Sequence, residues 1–561
     1  MLLHWQKLQR FSLTLRNGVF QEGRTAILLS WCKQKLCFCA AYKHLRSSRV
    51  FRQKLLPKLQ SSVALGLLSL TVTGCMMGPD FHTPQKPQVS SFTASPLPAK
   101  TASIKAAGKG GKAQYFVSND DIKAEWWTLF HSQELNDLIA AGLANSPNLT
   151  SAQAALRQAQ ENVNVQVGNS LYPAFNAQLA GERQRFSLAT IGGSGGSKSP
   201  VFNLFNTNVN VSYTLDVFGS ARRQIESLVA QVDYQQFQLV GAYLTLTSNI
   251  VTTAVNIASL EKQIESTKKI IKVEEAQLEI LKKQFRLGGI SAITVFTQQT
   301  LVDQTRATLP PLENSLSQSR HALAVLIGEF PNKPIKAIDL DKLTLPSKIP
   351  VSLPSNLVRQ RPDVRAQEAL LHAASAQIGV ATANLLPQFN ITGNYGWESV
   401  TPAGLLNSKN EVWAMMSQIT QPIFHGGALR AQRRAAIAAY DQTAAQYRET
   451  VLQAFQNVAD SLRAIETDAR TLRAQKQAEI AAYNNLRLSQ DQYRLGGASY
   501  LTLLTAEQQY HQTVIARIRA QAARYSDTTA LFQSLGGGWW NRQTEKCGDP
   551  INPMHASLTC P

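Results

Sequence analysis

The stretch "QFRLGGISAITVFTQQ", Gln284 to Gln299, returns later in the chain as "QYRLGGASYLTLLTAE", beginning at Gln492. The offset is 208 residues without a gap, and 8 of the 16 positions are identical. In each copy a Gly-Gly pair closes a long helical pattern, because glycine supplies the backbone angles that end a helix in a tight turn. Upstream of the first copy, Ile250, Ile257, Ile264, Ile271, Leu278 and Phe285 recur every seven residues, the period of a coiled coil. The same offset carries that series onto Val458, Ile465, Leu472, Glu479, Leu486 and Tyr493, of which five are apolar. The pattern predicts long helices from about 221 to 285 and from about 428 to 494. Each reverses at its Arg-Leu-Gly-Gly turn into a return helix, the first running to about Ile327.

The duplication extends beyond the hairpin. "RQRPDVRAQEALLHAASAQIGVATANLLPQFN" parallels "ANSPNLTSAQAALRQAQENVNVQVGNSLYPAFN", with Pro362 matching Pro147. After each helical segment comes a pair of strand candidates. "VNVSYTLDV" puts Val209, Val211, Tyr213, Leu215 and Val217 on one face and Asn210, Ser212, Thr214 and Asp216 on the other. "PAFNAQLAGERQRF" precedes it, and "FNITGNYGW" and "VWAMMSQITQPIF" form the second pair. The loop "TIGGSGGSKSP" approaches a phosphate-binding motif, but Ser197 replaces a required glycine and the loop lies between strands, so it is not a nucleotide site.

The 561 residues carry a net charge of +19, unevenly spread. Residues 1–74 hold 12 Lys/Arg and one acid, leaving about +8 over the other 487 residues with no dense basic stripe, which argues against nucleic acid as a partner. The basic segment precedes "LQSSVALGLLSLTVTGC", which reads as an export signal. Val72-Thr73-Gly74-Cys75 resembles a lipobox, making Cys75 the lipidation site, and Met76 rather than an aspartate after it implies sorting to the outer membrane. Residues 1–49 are long for a signal, as if translation starts downstream of Met1. Cys547 and Cys560 are either a disulfide or two free thiols in the tail. The histidines beyond the signal are scattered, with no zinc spacing and no HExxH pattern, so neither a metal site, a cofactor nor an enzyme is expected.

Four amphipathic strands in an exported chain suggest an outer-membrane barrel, but the smallest such barrels need about eight. Open edges in lipid would leave backbone groups unpaired. Several copies must therefore pool their strands, and three would give twelve. Helices of about 65 residues reach roughly 100 Å, far beyond a bilayer core of about 30 Å, and their charges require an aqueous space. A barrel prolonged by a helical sheath describes a conduit.

At this point the chain resembles the TolC-like outer-membrane factors, most closely the lipoprotein (NodT/OprM-like) branch. The resemblance rests on "CMMGPDFHTP", "WWTLFHSQELNDLI", "RQRPDVRAQEALLHAASAQIGVATANLLP", "YTLDVFGSARR", "QYRLGGASYLTLLTAEQQY" and "LGGGWW". It implies an α+β membrane protein: a homotrimeric 12-stranded β-barrel, four strands per chain, continued by a long periplasmic α-helical barrel built of two internal repeats. It also implies the exit duct of a tripartite pump. The partners would be outer-membrane lipid, a periplasmic adaptor and an inner-membrane transporter of the RND type.

The resemblance further implies that Arg286, Leu287, Gly288, Gly289 and Ser291, and equally Arg494, Leu495, Gly496, Gly497 and Ser499, are adaptor-docking tips. Leu501, Thr505 and Gln508 fall at the periplasmic gate. In relatives the Thr505 position is an aspartate and the Gln508 position a basic residue. That charged pair is missing here, so a leakier or differently latched tip is expected. The chain divides into the extension and signal (1–74), a lipid-anchored extended tether (75–120), two structural repeats (121–335 and 336–540) and a tail (541–561). The competing reading is a coiled-coil lipoprotein without a channel, for which the strands have no use.

Overall fold

The computed structural model describes residues 76–118, 120–185, 201–336, 338–351 and 354–542. Cys75, the Gly/Ser loop before Val201, and Cys547 and Cys560 lie outside the described residues.

The described chain begins with an irregular segment and a short strand, β1 (Tyr115–Ser118). Helix α1 (Gln133–Asn145) follows, N-capped by the Ser132 hydroxyl, which accepts from Leu135 N–H. Pro147 opens α2 (Pro147–Leu171), where its missing N–H costs nothing. Strands β2 (Ala174–Arg185) and β3 (Val201–Leu215) lead into α3 (Ser220–Arg286). The return of the first hairpin is α4 (Ala292–Ala307) followed by α5 (Leu309–Leu326). This return differs from the single helix expected: Pro310 and Pro311 withhold two N–H groups and divide it at Thr308. The second half repeats the order. Strand β4 (Lys348–Val351) and α6 (Pro354–Gln360) introduce it, then come α7 (Pro362–Ala383), β5 (Gln388–Ser399), β6 (Glu411–Thr420), α8 (Ala428–Arg494) and an uninterrupted return, α9 (Tyr500–Ser534). Both α3 and α8 have 67 residues, about 100 Å each. Each starts after a glycine in the left-handed region, Gly219 at φ +78° and Gly427 at φ +83°.

Strands β2, β3, β5 and β6 form one antiparallel sheet in that order. Its register sorts the side chains. Phe175 lies opposite Val211, Val209 opposite Tyr395, and Tyr395 opposite Trp413, so the apolar side chains share one face. The other face carries amides, with Asn176, Asn210 and Asn394 in a single row. Strands of 10 to 15 residues with one apolar and one amide face suit a membrane barrel with a wet interior. No described helix is long and apolar enough to cross a membrane.

The helices bury the predicted heptad stripe. Ile250, Ile257, Ile264, Ile271 and Leu278 are buried, as are Val458, Ile465 and Leu472, while Phe285 at the far end is exposed. Away from the hairpin tips the largely aliphatic core holds an aromatic cluster: Trp126 stacks on Phe532 at 5.4 Å between ring centres, and Tyr525 Oη donates to the Leu343 carbonyl at 2.8 Å.

The composition of residues 75–120 predicts an extended tether. The described part, from residue 76, is irregular, as its prolines and glycines require, and it is docked. Arg524 is 2% exposed. It donates to the carbonyls of Gly110 (2.6 Å) and Lys112 (3.2 Å), to Gln114 Oε1 (3.0 Å) and to Thr101 Oγ1 (3.4 Å). A second clamp holds its start, where Met77 N–H donates to the Phe218 carbonyl at 3.1 Å. Arg223 Nε reaches the Met77 carbonyl at 3.1 Å, and its Nη2 reaches Asp80 at 2.7 Å. Arg223 of α3 and Arg524 of α9 thus satisfy backbone oxygens that a polar loop would otherwise bury unpaired.

Candidate functional site at the hairpin tips

The two Arg-Leu-Gly-Gly turns share one backbone. At the first, Gly288 has φ +76° and its N–H donates to the Phe285 carbonyl at 2.9 Å, while Gly289 N–H reaches back to Gln284 at 2.9 Å. At the second, Gly496 has φ +78°, with bonds to Tyr493 at 3.1 Å and from Gly497 to Gln492 at 2.8 Å. This pair of bonds is the Schellman closure, which settles the last free carbonyls of a helix. Ser499 then opens α9, its Oγ accepting from Thr502 N–H at 3.2 Å. Ser291 occupies the same position before α4, with its Oγ 3.4 Å from Thr294 Oγ1. Ser499 thus caps α9 through its side chain, whereas Ser291 stands at the N-cap of α4 without a side-chain bond to the backbone. Arg286 and Arg494 are exposed beside them. The leucines are spent on nothing internal: Leu287 is 86% and Leu495 88% exposed.

Just beyond the turns, α4 and α9 border a cavity of about 510 Å³ lined by Ile293, Phe296, Leu501, Leu504, Thr505 and Gln508 among others. The 208-residue offset maps Ile293 onto Leu501 and Phe296 onto Leu504, so the two return helices offer equivalent apolar faces. Leu501, Thr505 and Gln508 are thereby brought together, and all three are exposed. The Thr505 hydroxyl is bonded to the Leu501 carbonyl of its own helix at 2.9 Å.

Behind this surface lies a group that sequence reading missed. Glu274 of α3 is 3% exposed and Glu507 of α9 is 8% exposed. Thr305 Oγ1 donates to Glu274 Oε1 at 3.2 Å, and Gln298 Nε2 donates to the Glu274 carbonyl at 3.0 Å. The Tyr500 hydroxyl closes the link by donating to Gln298 Oε1. Glu274 Oε2 and both Glu507 carboxylate oxygens have no hydrogen-bond partner. Burial pushes the Glu274 carboxyl up to about 7, with Thr305 opposing, and burial followed by the nearby Glu274 charge pushes Glu507 up to about 7. Burial also raises the Tyr500 hydroxyl. The contrast is Glu479, the polar member of the second heptad series, which is paired with Lys476 and Arg517 at 3.1 Å each. A signal for Glu274 existed: it interrupts the buried series Leu260, Thr267, Glu274, Leu281 at seven-residue spacing.

The profile of the family described as "Outer membrane efflux protein" matches residues 138–329 and 353–537, most of the chain. The chain belongs to the outer membrane efflux protein family. Among relatives, this efflux protein is 28% identical over 487 residues to the probable efflux pump outer membrane protein TtgC of Pseudomonas putida, covering 85% of this chain and 96% of TtgC. It is 30% identical over 427 residues to the pyoverdine export outer membrane protein OpmQ of Pseudomonas aeruginosa, covering 75% and 88%. It is 24% identical to the cation efflux system protein CusC of Escherichia coli over 84% and 97%. Among solved structures, the outer-membrane channel OprN superposes with a TM-score of 0.72 at 24% identity, over 83% of this chain and 100% of that one. The open state of the MtrE outer membrane channel of Neisseria gonorrhoeae superposes with a TM-score of 0.68 at 26% identity, over 83% and 99%.

The efflux protein is therefore an outer-membrane channel, the exit duct of a multi-component pump. Its four-stranded sheet is one third of a trimeric twelve-stranded barrel, continued by the helical tunnel into the periplasm. That assembly removes the sheet's open edges, as lipid requires. The family is one of channels, and the rod without a pore is not favoured.

Proposed function

We propose that both tips of each chain, six per trimer, receive a periplasmic adaptor that couples the duct to an inner-membrane transporter of the RND type. The observation that carries this reading is the doubled turn. Two identical Schellman closures present Leu287 and Leu495 almost fully to solvent on rigid supports, and an exposed apolar knob on a fixed backbone is economical for docking. The periplasmic gate lies just beyond the second turn, at Leu501, Thr505 and Gln508. Cys75 carries the lipid anchor, a reading supported by the lipobox-like Val72-Thr73-Gly74-Cys75 with Met76 after it. Relatives bear toluene, pyoverdine and cation efflux in their names over one fold, so the transporter rather than the duct selects the cargo.

A photo-crosslinker placed at Leu287 or Leu495 of the full chain in cells tests the docking. Capture of a periplasmic adaptor is expected from both tips and not from exposed Val273, farther up α3. Equal capture from Val273 would remove the tips from the interface.

A further inference from the structure

We propose that Glu274 and Glu507 form a proton-operated lock on the tip. With both carboxyls neutral, α9 stays packed on the first hairpin, and loss of those protons drives the two apart and opens the duct. The inference rests on the reading of the tip as the gate.

The geometry places the pair where a lock must act. Glu274 belongs to α3, Gln298 and Thr305 to α4, and Tyr500 and Glu507 to α9, so the group joins the first hairpin to the second just behind the turns. Opening the tip by separating the hairpins must break the Tyr500–Gln298 bond and uncover both acids. Glu274, Glu507, Tyr500 and Tyr493 act on one another electrostatically, with Gln277, Gln298 and Thr305 as polar neighbours. Lys272 and Arg494 line the cavity beside Gln277 and Tyr493, and His511 follows Glu507 by one turn with its pKa lowered by burial, but no cation is bonded to either glutamate. The arginine beside Thr305, Arg306, is turned to Glu275 at 2.6 Å and Asp303 at 3.1 Å. Glu479 shows that this fold pairs a buried glutamate with cations where ionisation is wanted.

Two buried acids without a counter-charge are stable together only when neutral, because each ionised form loses its water and repels the other. The sign follows from raised carboxyl pKa values. At pH below about 4.5 the acids are neutral whether packed or exposed, and the packing has its full strength. As pH rises towards and through about 7, the packed form alone must hold protons and its advantage is lost. The lock is thus shut at acid pH and weakened above neutrality.

The test is conductance of the full-length lipidated trimer in planar bilayers, with the tip side held between pH 5.5 and 8.5. Conductance of the wild type should rise through pH 7, the open-to-closed ratio changing by up to about tenfold per pH unit for each proton released. Glu507→Gln and Glu274→Gln, which keep size and hydrogen bonding, should each flatten that rise and hold conductance low. Tyr500→Phe should raise conductance at every pH and keep the step. A heat-modifiable trimer confirms assembly of each variant. A wild-type step that survives in both glutamine variants, or a wild type flat across the range, overturns the lock while leaving the channel in place. A trimer silent at all pH values, Leu501→Ser included, overturns the gate reading and the lock with it.

Discussion

Gly78 lies directly against Gly379: a Cβ added to Gly78 would stand 2.4 Å from the Gly379 Cα, and one added to Gly379 would stand 2.7 Å from the Met77 carbonyl oxygen. The tether begins where two backbones touch. Gly78 also has φ +96°, which a side chain rarely adopts. Gly379→Val should therefore unseat residues 76–80, with an overpacking cost of about 1–3 kcal/mol. The Arg223–Asp80 and Met77–Phe218 contacts would go with it. Limited proteolysis should cut the variant near its mature N-terminus while the wild type resists, and the trimer should dissociate at lower temperature.

Arg524 should prove as demanding of shape as of charge. Burial lowers its pKa to about 10, still above physiological pH, so the guanidinium is charged when it gathers the oxygens of Gly110, Lys112, Gln114 and Thr101. Arg524→Met would strand those acceptors at about 1–3 kcal/mol for each one left unpaired. Arg524→Lys keeps the charge but not the planar fork, and should behave more like the methionine variant than like wild type. Thermal unfolding and protease sensitivity over residues 100–114 report both.

The tip glycines offer a pure backbone test. An added Cβ meets nothing within 4 Å at Gly288 or at Gly496, so only the left-handed φ opposes alanine. Gly288→Ala and Gly496→Ala should each cost about 1 kcal/mol locally and leave the trimer assembled. Efflux measured in cells should fall for each and fall further for the pair. Asparagine, which tolerates that backbone region, should restore part of the loss.

The gate should respond to apolar loss and to restored charge. Leu501 faces Ile293 and Phe296 across the tip cavity, and the Thr505 hydroxyl is already bonded within its own helix. Leu501→Ser should increase single-channel conductance. Thr505→Asp with Gln508→Arg puts an ion pair at i,i+3 on the exposed face of α9 and should lower the leak, an effect that weakens in high salt.

Most of the architecture was legible in the chain alone because repetition and periodicity are local properties. A seven-residue series repeated at an offset of 208 specifies two long helices and their turns. Strict alternation in "VNVSYTLDV" specifies a strand with one lipid-facing side, and four such strands cannot close. Tertiary structure alone decided how distant segments meet. Arg524 joins a segment more than 400 residues away in sequence, so no local pattern marks the tether as docked. The parallel pairing of β1 with β4 joins residues 115–118 to 348–351 in the same way. Glu507 looks like one more charge on an amphipathic helix until α3 folds over it, because a carboxylate's cost depends on the water it loses rather than on its neighbours in sequence. The sequence determined that there are two equivalent tips; only the packing behind them decided that two acids face each other there without a counter-charge.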